Sequence, residues 1–87
     1  MTRIITRHDL AVESYDMTGT VELAGEILSV TSELGWKVWA LTDPDLIPSR
    51  RRIAVITEGM KLPEGDWRHI STVTGTTYVW HCFEEKA

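Results

Sequence analysis

The chain has 87 residues, 43 % of them hydrophobic and 25 % charged, and its formal net charge is −4 at pH 7. This length suits a single domain, residues 1–87, and the composition excludes the disordered, collagenous and membrane-spanning classes. The negative charge argues against general nucleic-acid binding, because phosphate backbones repel an acidic protein.

β-Branched residues are abundant along the chain: Thr, Val and Ile together make up 25 of the 87 residues. Such side chains pack well on a pleated sheet, and turn signals rich in Gly and Pro separate them at short intervals, which is typical of a sandwich or barrel. The pattern predicts an all-β fold, a sandwich or partly open barrel of about seven mostly antiparallel strands joined largely as sequential hairpins. His8–Tyr15 is predicted to be a loop or one helical turn. The predicted strands are Thr2–His8, Thr20–Ala24, Ile27–Glu33, Trp36–Thr42, Arg51–Glu58, Arg68–Thr74 and Tyr78–Glu84.

The fourth and seventh predicted strands carry bulky apolar groups on both faces. Strands of this kind are usually covered twice, by the core on one side and by a loop, a second sheet or another subunit on the other. We therefore expect a homo-oligomer, with a long loop folded over one face as the alternative. In the seventh strand Tyr78, Trp80 and Cys82 alternate with Val79, His81 and Phe83.

The chain has one cysteine, Cys82, and no apolar run near its first residue. A single cysteine allows no intrachain disulfide, which favours a reducing compartment. The first nine residues, MTRIITRHD, lack the apolar segment that a secretory signal peptide requires. Both observations predict a cytoplasmic protein.

From Glu22 onward a spaced series of short segments carries a resemblance to a known family. The segments include Glu26-Ile27-Leu28-Ser29-Val30, Trp39-Ala40-Leu41, Thr57-Glu58-Gly59, Ile70-Ser71-Thr72-Val73 and Val79-Trp80-His81-Cys82-Phe83-Glu84. In this order they resemble small proteins of unknown function encoded by tailed phages, actinobacterial phages among them. The resemblance implies a phage-encoded, cytoplasmic, all-β accessory protein, and it supplies neither a reaction nor a ligand.

Arg50-Arg51-Arg52 is the only basic run in the sequence. Guanidinium groups bind phosphate and carboxylate groups through paired hydrogen bonds, so the run is a candidate site for an anionic ligand or a partner. The alternative is that Arg50 and Arg52 only keep an edge strand soluble. Strand alternation sends Arg51 to the face opposite its two neighbours.

Tryptophan and histidine supply the other candidate binding residues. Four tryptophans exceed what a core of this size requires, and tryptophan is enriched at interface hot spots. Trp36, Trp67 and Trp80 are therefore candidate partner contacts, with the alternative that Trp67 begins the sixth strand and closes one end of the sandwich. His81 could serve as a base, as a donor to a ligand or as a metal ligand, although a core histidine bonded to a backbone carbonyl is the commoner arrangement.

Neither catalysis nor a cofactor is expected. His81 and Cys82 are neighbours on a strand and face opposite sides, so they can neither chelate one ion nor act together as nucleophile and base. A metal site would need His8 or His69 to converge with His81. Glycine-rich phosphate loops and a Gly-x-Ser-x-Gly elbow are absent from the sequence. We predict no catalytic residue, no bound metal and no cofactor.

The sequence therefore favours binding over chemistry, without naming the bound molecule. The first hypothesis is an accessory protein in the cytoplasm of an infected host cell that binds a host or phage protein through exposed aromatic residues, as an anti-defence or host-takeover factor. The second is an oligomer that sequesters a small anionic nucleotide signal, which Arg50 to Arg52 would bind. An enzyme and a minor virion component are the remaining alternatives, and no membrane association is expected.

Overall fold

The computed structural model describes residues 2–86, which form seven antiparallel β-strands and no helix. The all-β prediction is confirmed, and each predicted strand has a counterpart whose ends lie within two residues of those expected. The segment predicted as loop or helical turn begins instead as strand, because the first strand continues to Leu10; the chain then turns, with Glu13 bridged to Thr18. The strands are β1 (Ile4–Leu10), β2 (Thr18–Leu23), β3 (Gly25–Ser32), β4 (Trp36–Thr42), β5 (Ser49–Ile56), β6 (Trp67–Thr74) and β7 (Val79–Glu85).

The strands form two sheets, one in the order β1-β4-β3 and the other in the order β2-β5-β7-β6. Only the β3–β4 and β6–β7 pairs join consecutive strands, so the expectation of a chain built largely from sequential hairpins is wrong. The reason is that the chain passes between the sheets after β1, after β2 and again after β4. The result is an open sandwich.

The two sheets pack face to face around an apolar core. Ser71 on β6 joins them along one side, since its hydroxyl contacts both the N–H and the C=O of Val30 on β3, at 3.1 and 3.3 Å. Burial of the inward side chains supplies most of the folding free energy of such a core. The buried core residues are Leu10, Val21, Leu23, Ile27, Val30, Val38, Ala40, Ile53, Val55 and Cys82.

The segment between β5 and β6, residues 57–66, crosses the second sheet lengthwise. Both strands pair antiparallel with β7, so they run parallel, and the chain must return from one end of the sheet to the other. Because the first sheet covers the inner face, the crossing segment lies over the outer face, where Met60 lines a cleft with His81 and where Ile56 is buried. The segment covers the outer face of β7 only in part, since Val79 and His81 stay exposed and Phe83 is half-buried, and the expected homo-oligomer stays a prediction.

Candidate functional site

A cleft of about 830 Å³ lies where β5 begins and β7 ends. It forms there because β7 pairs with β5 only from Ile53, opposite Glu84, which leaves the start of β5 without a neighbour on that side. Five cationic side chains and two carboxylates surround the cleft. We call it the arginine cleft, and its lining residues are Thr20, Ser49, Arg50, Arg51, Arg52, Arg68, Glu84, Glu85 and Lys86.

Arg51 points between the two sheets, away from its neighbours, as strand alternation predicts. Its Nε donates to Oε2 of Glu84 at 2.8 Å, and its Nη1 and Nη2 donate to the carbonyl of Gly25 at 3.1 and 2.9 Å. The other carboxylate oxygen of Glu84 accepts from Nη2 of Arg68 at 2.7 Å. Glu84 is buried, so two guanidinium groups compensate its charge. Arg51 therefore links the two sheets and forms the fixed floor of the arginine cleft.

Arg52 points to the outer face, where its guanidinium group is also engaged. It forms ion pairs with Asp16 at 3.6 Å and Glu85 at 3.3 Å, and its Cζ lies 5.3 Å from the centroid of the Trp67 ring. The Trp67 Nε1 donates to the carbonyl of Pro63 at 2.8 Å. Trp67 begins β6, as one of the two interpretations held, but it stacks under Arg52 on the outer face and does not close the end of the sandwich.

Arg50 is the member of the run that is available to a ligand. Its side chain is exposed, and among residues 2–86 no carboxylate oxygen lies within 4.0 Å of its guanidinium group. Glu22 is its cross-strand partner on β2, yet the two do not form an ion pair. The three arginines that the sequence places together thus have three different environments.

Trp36 and Trp80 lie at the opposite end of the sandwich from the arginine cleft. Their rings meet edge to face with centroids 5.8 Å apart, and Tyr78 lies 5.7 Å from Trp80. Both tryptophans are half-buried and pack against the core. Their rings are therefore only partly accessible, and their role as contacts for a partner stays a prediction.

His81 is exposed on the outer face of β7, which corrects its interpretation as a core histidine. Its Nδ1 lies 3.2 Å from Oγ1 of Thr72, and its ring centroid is 6.1 Å from that of His69. His8 lies in the other sheet, where its Nε2 contacts Oγ1 of Thr6 at 2.8 Å. Of the two histidines that could converge with His81, His69 is the one that lies beside it in the structure.

Cys82 faces the core and has no solvent exposure. Burial raises the pKa of its thiol to about 11, and a hydrogen bond with Ser71 opposes that rise only in part. The group is therefore a protonated thiol at neutral pH, which is a poor nucleophile and a poor metal ligand. His81 and Cys82 indeed face opposite sides of β7.

The raised pKa of Cys82 predicts a loss of stability in alkali. The unfolded thiol releases its proton near pH 9.0 and the folded thiol near pH 11, so between these values the unfolded state holds fewer protons and the free energy of unfolding falls as pH rises. We expect Cys82 to contribute a fall of about 2 kcal/mol between pH 8.5 and 10.5. Urea unfolding of the wild type and of Cys82→Ala at both pH values measures it. An equal fall in the two proteins would contradict the assignment.

The described part of the chain offers few other sites. Residues 2–86 contain no group of three or more His, Cys, Asp or Glu side chains that could hold one ion. Within the same residues no helix has the length and hydropathy needed to cross a membrane.

A family model described as "Domain of unknown function (DUF7352)" matches residues 1–87. The chain belongs to the DUF7352 family. No curated protein and no solved structure matches it. The DUF7352 match includes the first 21 residues, which the resemblance to phage proteins does not cover, and its description states no phage origin.

In this DUF7352 chain the arginine cleft contains groups that sequence reasoning missed, namely Arg68, Glu84 and Lys86. Arg68 and Glu84 are 16 residues apart and become direct partners through the pairing of β6 with β7. One signal was present in the sequence: Glu84 is two residues after Cys82, so both face the same side of the strand. A carboxylate on the same face of a strand as a buried residue is directed toward the interior, where it requires a cation beside it to compensate its charge.

Proposed function

We propose that this protein is a non-catalytic binding protein and that the arginine cleft takes a small ligand carrying phosphate or carboxylate groups. The observation that carries the proposal is the concentration of five cationic side chains around one cleft in a chain whose net charge is −4. The cleft volume of about 830 Å³ lies within the range of about 300–1,000 Å³ usual for small-molecule sites. A ligand of nucleotide size with an anionic end fits this combination.

The residues of the arginine cleft contribute to binding in different ways. Arg51 and Arg68 together carry one positive charge more than Glu84 neutralises, and their hydrogen bonds hold them in place. A fixed cationic floor loses little conformational entropy when a ligand arrives. Arg50 is free to form two parallel hydrogen bonds to an oxyanion, and Lys86 adds a point charge at the rim.

A protein partner is the second candidate, and exposed loop residues favour it. Tyr15, Leu34 and Ile47 are 84, 103 and 91 % exposed, so they offer the apolar contacts that the half-buried tryptophans do not. The resemblance to phage proteins supports an accessory role in the cytoplasm of an infected cell for either candidate. For the small-ligand candidate, that setting points to a nucleotide signal of the host.

Replacing Arg50 with alanine tests the proposed site. With inorganic pyrophosphate as the probe at low ionic strength, we expect isothermal titration calorimetry to show affinity lowered by about tenfold or more, since one charge-assisted, bidentate contact is lost. Stability should change by less than about 0.5 kcal/mol, because Arg50 is exposed and forms no ion pair.

Arg3→Ala is the matched control, because Arg3 is an exposed arginine that does not line the cleft. It should bind pyrophosphate as the wild type does. Arg51→Ala is unsuitable, since it also removes a link between the sheets. Equal affinity in Arg50→Ala, Lys86→Ala and the wild type, or no binding by the wild type, would overturn the assignment of the cleft.

A further inference from the structure

The outer face of β6 and β7 brings two histidines to one point. Nε2 of His69 and Nδ1 of His81 each lie 3.2 Å from the same atom, Oγ1 of Thr72. Both imidazole rings are exposed. Two ring nitrogens from neighbouring strands are therefore directed toward a single position that solvent can reach.

A β-bulge creates this arrangement. His69 and Thr72 are three residues apart, and in a regular strand such residues face opposite sides. The register of β6 on β7 shifts between His69 and Ser71, so that His69 pairs with Phe83 while Thr72 pairs with His81, and all four lie on the outer face. The extra residue, Ile70, absorbs the shift and packs against the core. Bulges of this kind commonly re-aim a side chain near a functional position.

The ring of His69 is also held from a second direction. Its centroid lies 5.3 Å from that of Phe83, with the two planes at 73°, in an edge-to-face contact. Phe83 is half-buried on the outer face. A histidine held by a neighbouring ring loses less freedom when it binds a ligand than one that rotates freely.

We propose that His69 and His81 bind a divalent transition-metal ion, with Nε2 of His69 and Nδ1 of His81 as its protein ligands. Neutral imidazole is a preferred ligand of Cu²⁺, Ni²⁺ and Zn²⁺, and an ion 2.0–2.1 Å from each nitrogen takes the place of the shared hydrogen bonds to Thr72. We call this the histidine-pair site. It is independent of the arginine cleft.

The histidine-pair site is open. Within residues 2–86 no third His, Cys, Asp or Glu side chain completes a group around one ion, and Cys82 faces the core. Water or a donor atom of another molecule fills the remaining coordination positions. With only two protein ligands, affinity follows the intrinsic order of the ions, so Cu²⁺ binds more tightly than Ni²⁺ or Zn²⁺.

The test uses the full chain without a polyhistidine tag, titrated separately with CuCl₂, NiCl₂ and ZnCl₂ in isothermal titration calorimetry. We expect one ion per chain and the highest affinity for Cu²⁺. Histidine-ring NMR spectra recorded with Zn²⁺ should show shifts at His69 and His81 and none at His8. Binding should also raise the melting temperature, because the folded chain holds the two imidazoles together and so binds the ion more tightly than the unfolded chain does.

Single substitutions separate this site from adventitious binding. His69→Ala and His81→Ala should each lower the affinity by about tenfold or more, and His8→Ala, the matched control in the other sheet, should bind as the wild type does. Thr72→Ala should bind at least as tightly, since it removes only the competing hydrogen bonds. Arg50→Ala should bind the metal normally, so failure of the anion site leaves this result intact. Undiminished binding in His69→Ala or His81→Ala, or no binding by the wild type, would overturn the proposal.

Discussion

Replacing Glu84 with alanine is expected to lower the free energy of unfolding by about 3 kcal/mol. The carboxylate of Glu84 pairs with both Arg51 and Arg68 in the arginine cleft, and Glu84 lies on the same face of β7 as the core residue Cys82. Removing one member of a buried ion pair costs about 3–5 kcal/mol, because the remaining charge loses its compensation. Arg68 is half-exposed and regains water, which places the loss near the lower end of that range.

Glu85→Ala provides the control for this substitution. Glu85 is the next residue along β7, but it faces outward and pairs with Arg52 at 3.3 Å where both side chains are about one-third exposed. Ion pairs of that kind contribute less than about 1 kcal/mol. Urea unfolding of both variants should therefore give clearly different midpoints. A loss below about 1 kcal/mol for Glu84→Ala would show that Arg51 and Arg68 do not depend on this carboxylate.

The strands were predictable because their signals are local. Alternation of apolar and polar residues and the spacing of Gly and Pro depend only on near neighbours, and they placed all seven strands within two residues. The pairing was not predictable in this way. Whether the chain after Leu10 or Thr42 continues in the same sheet or crosses to the other depends on how the two sheets pack, to which distant residues contribute.

The candidate site was likewise predictable only where its signals are local. Alternation correctly predicted that Arg51 faces away from Arg50 and Arg52, but its partner Glu84 lies 33 residues further along the chain and belongs to another strand. The convergence of His69 with His81 could not be predicted from the sequence, for a different reason. It depends on a bulge in β6, and a single inserted residue reverses the face of every side chain that follows it.

Gly25→Ala is expected to be at least as damaging as Glu84→Ala, with a loss of about 3 kcal/mol or more. Gly25 has φ of 149°, a conformation that side chains of L residues rarely adopt. A Cβ there would overlap the carbonyl oxygen of Leu41 and lie 2.8 Å from Cα of Thr42. Both neighbours are backbone of β4, which pairs with β3 at this point, so neither can move without breaking the ladder. Backbone strain and overpacking each cost about 1–3 kcal/mol.

Gly35→Ala is the control that separates the cost of backbone strain from the cost of overpacking. Gly35 also has a positive φ, 104°, but a Cβ at that position would have open space around it. This variant carries the conformational cost alone and should lose about 1 kcal/mol, as measured by the midpoint of urea unfolding. The carbonyl of Gly25 also accepts two of the three hydrogen bonds that Arg51 donates. A shift of this backbone should therefore disturb the floor of the arginine cleft and weaken pyrophosphate binding, whereas Gly35→Ala should leave that binding unchanged. Equal losses in the two variants would mean that β3 and β4 approach less closely at Gly25 than the structure indicates.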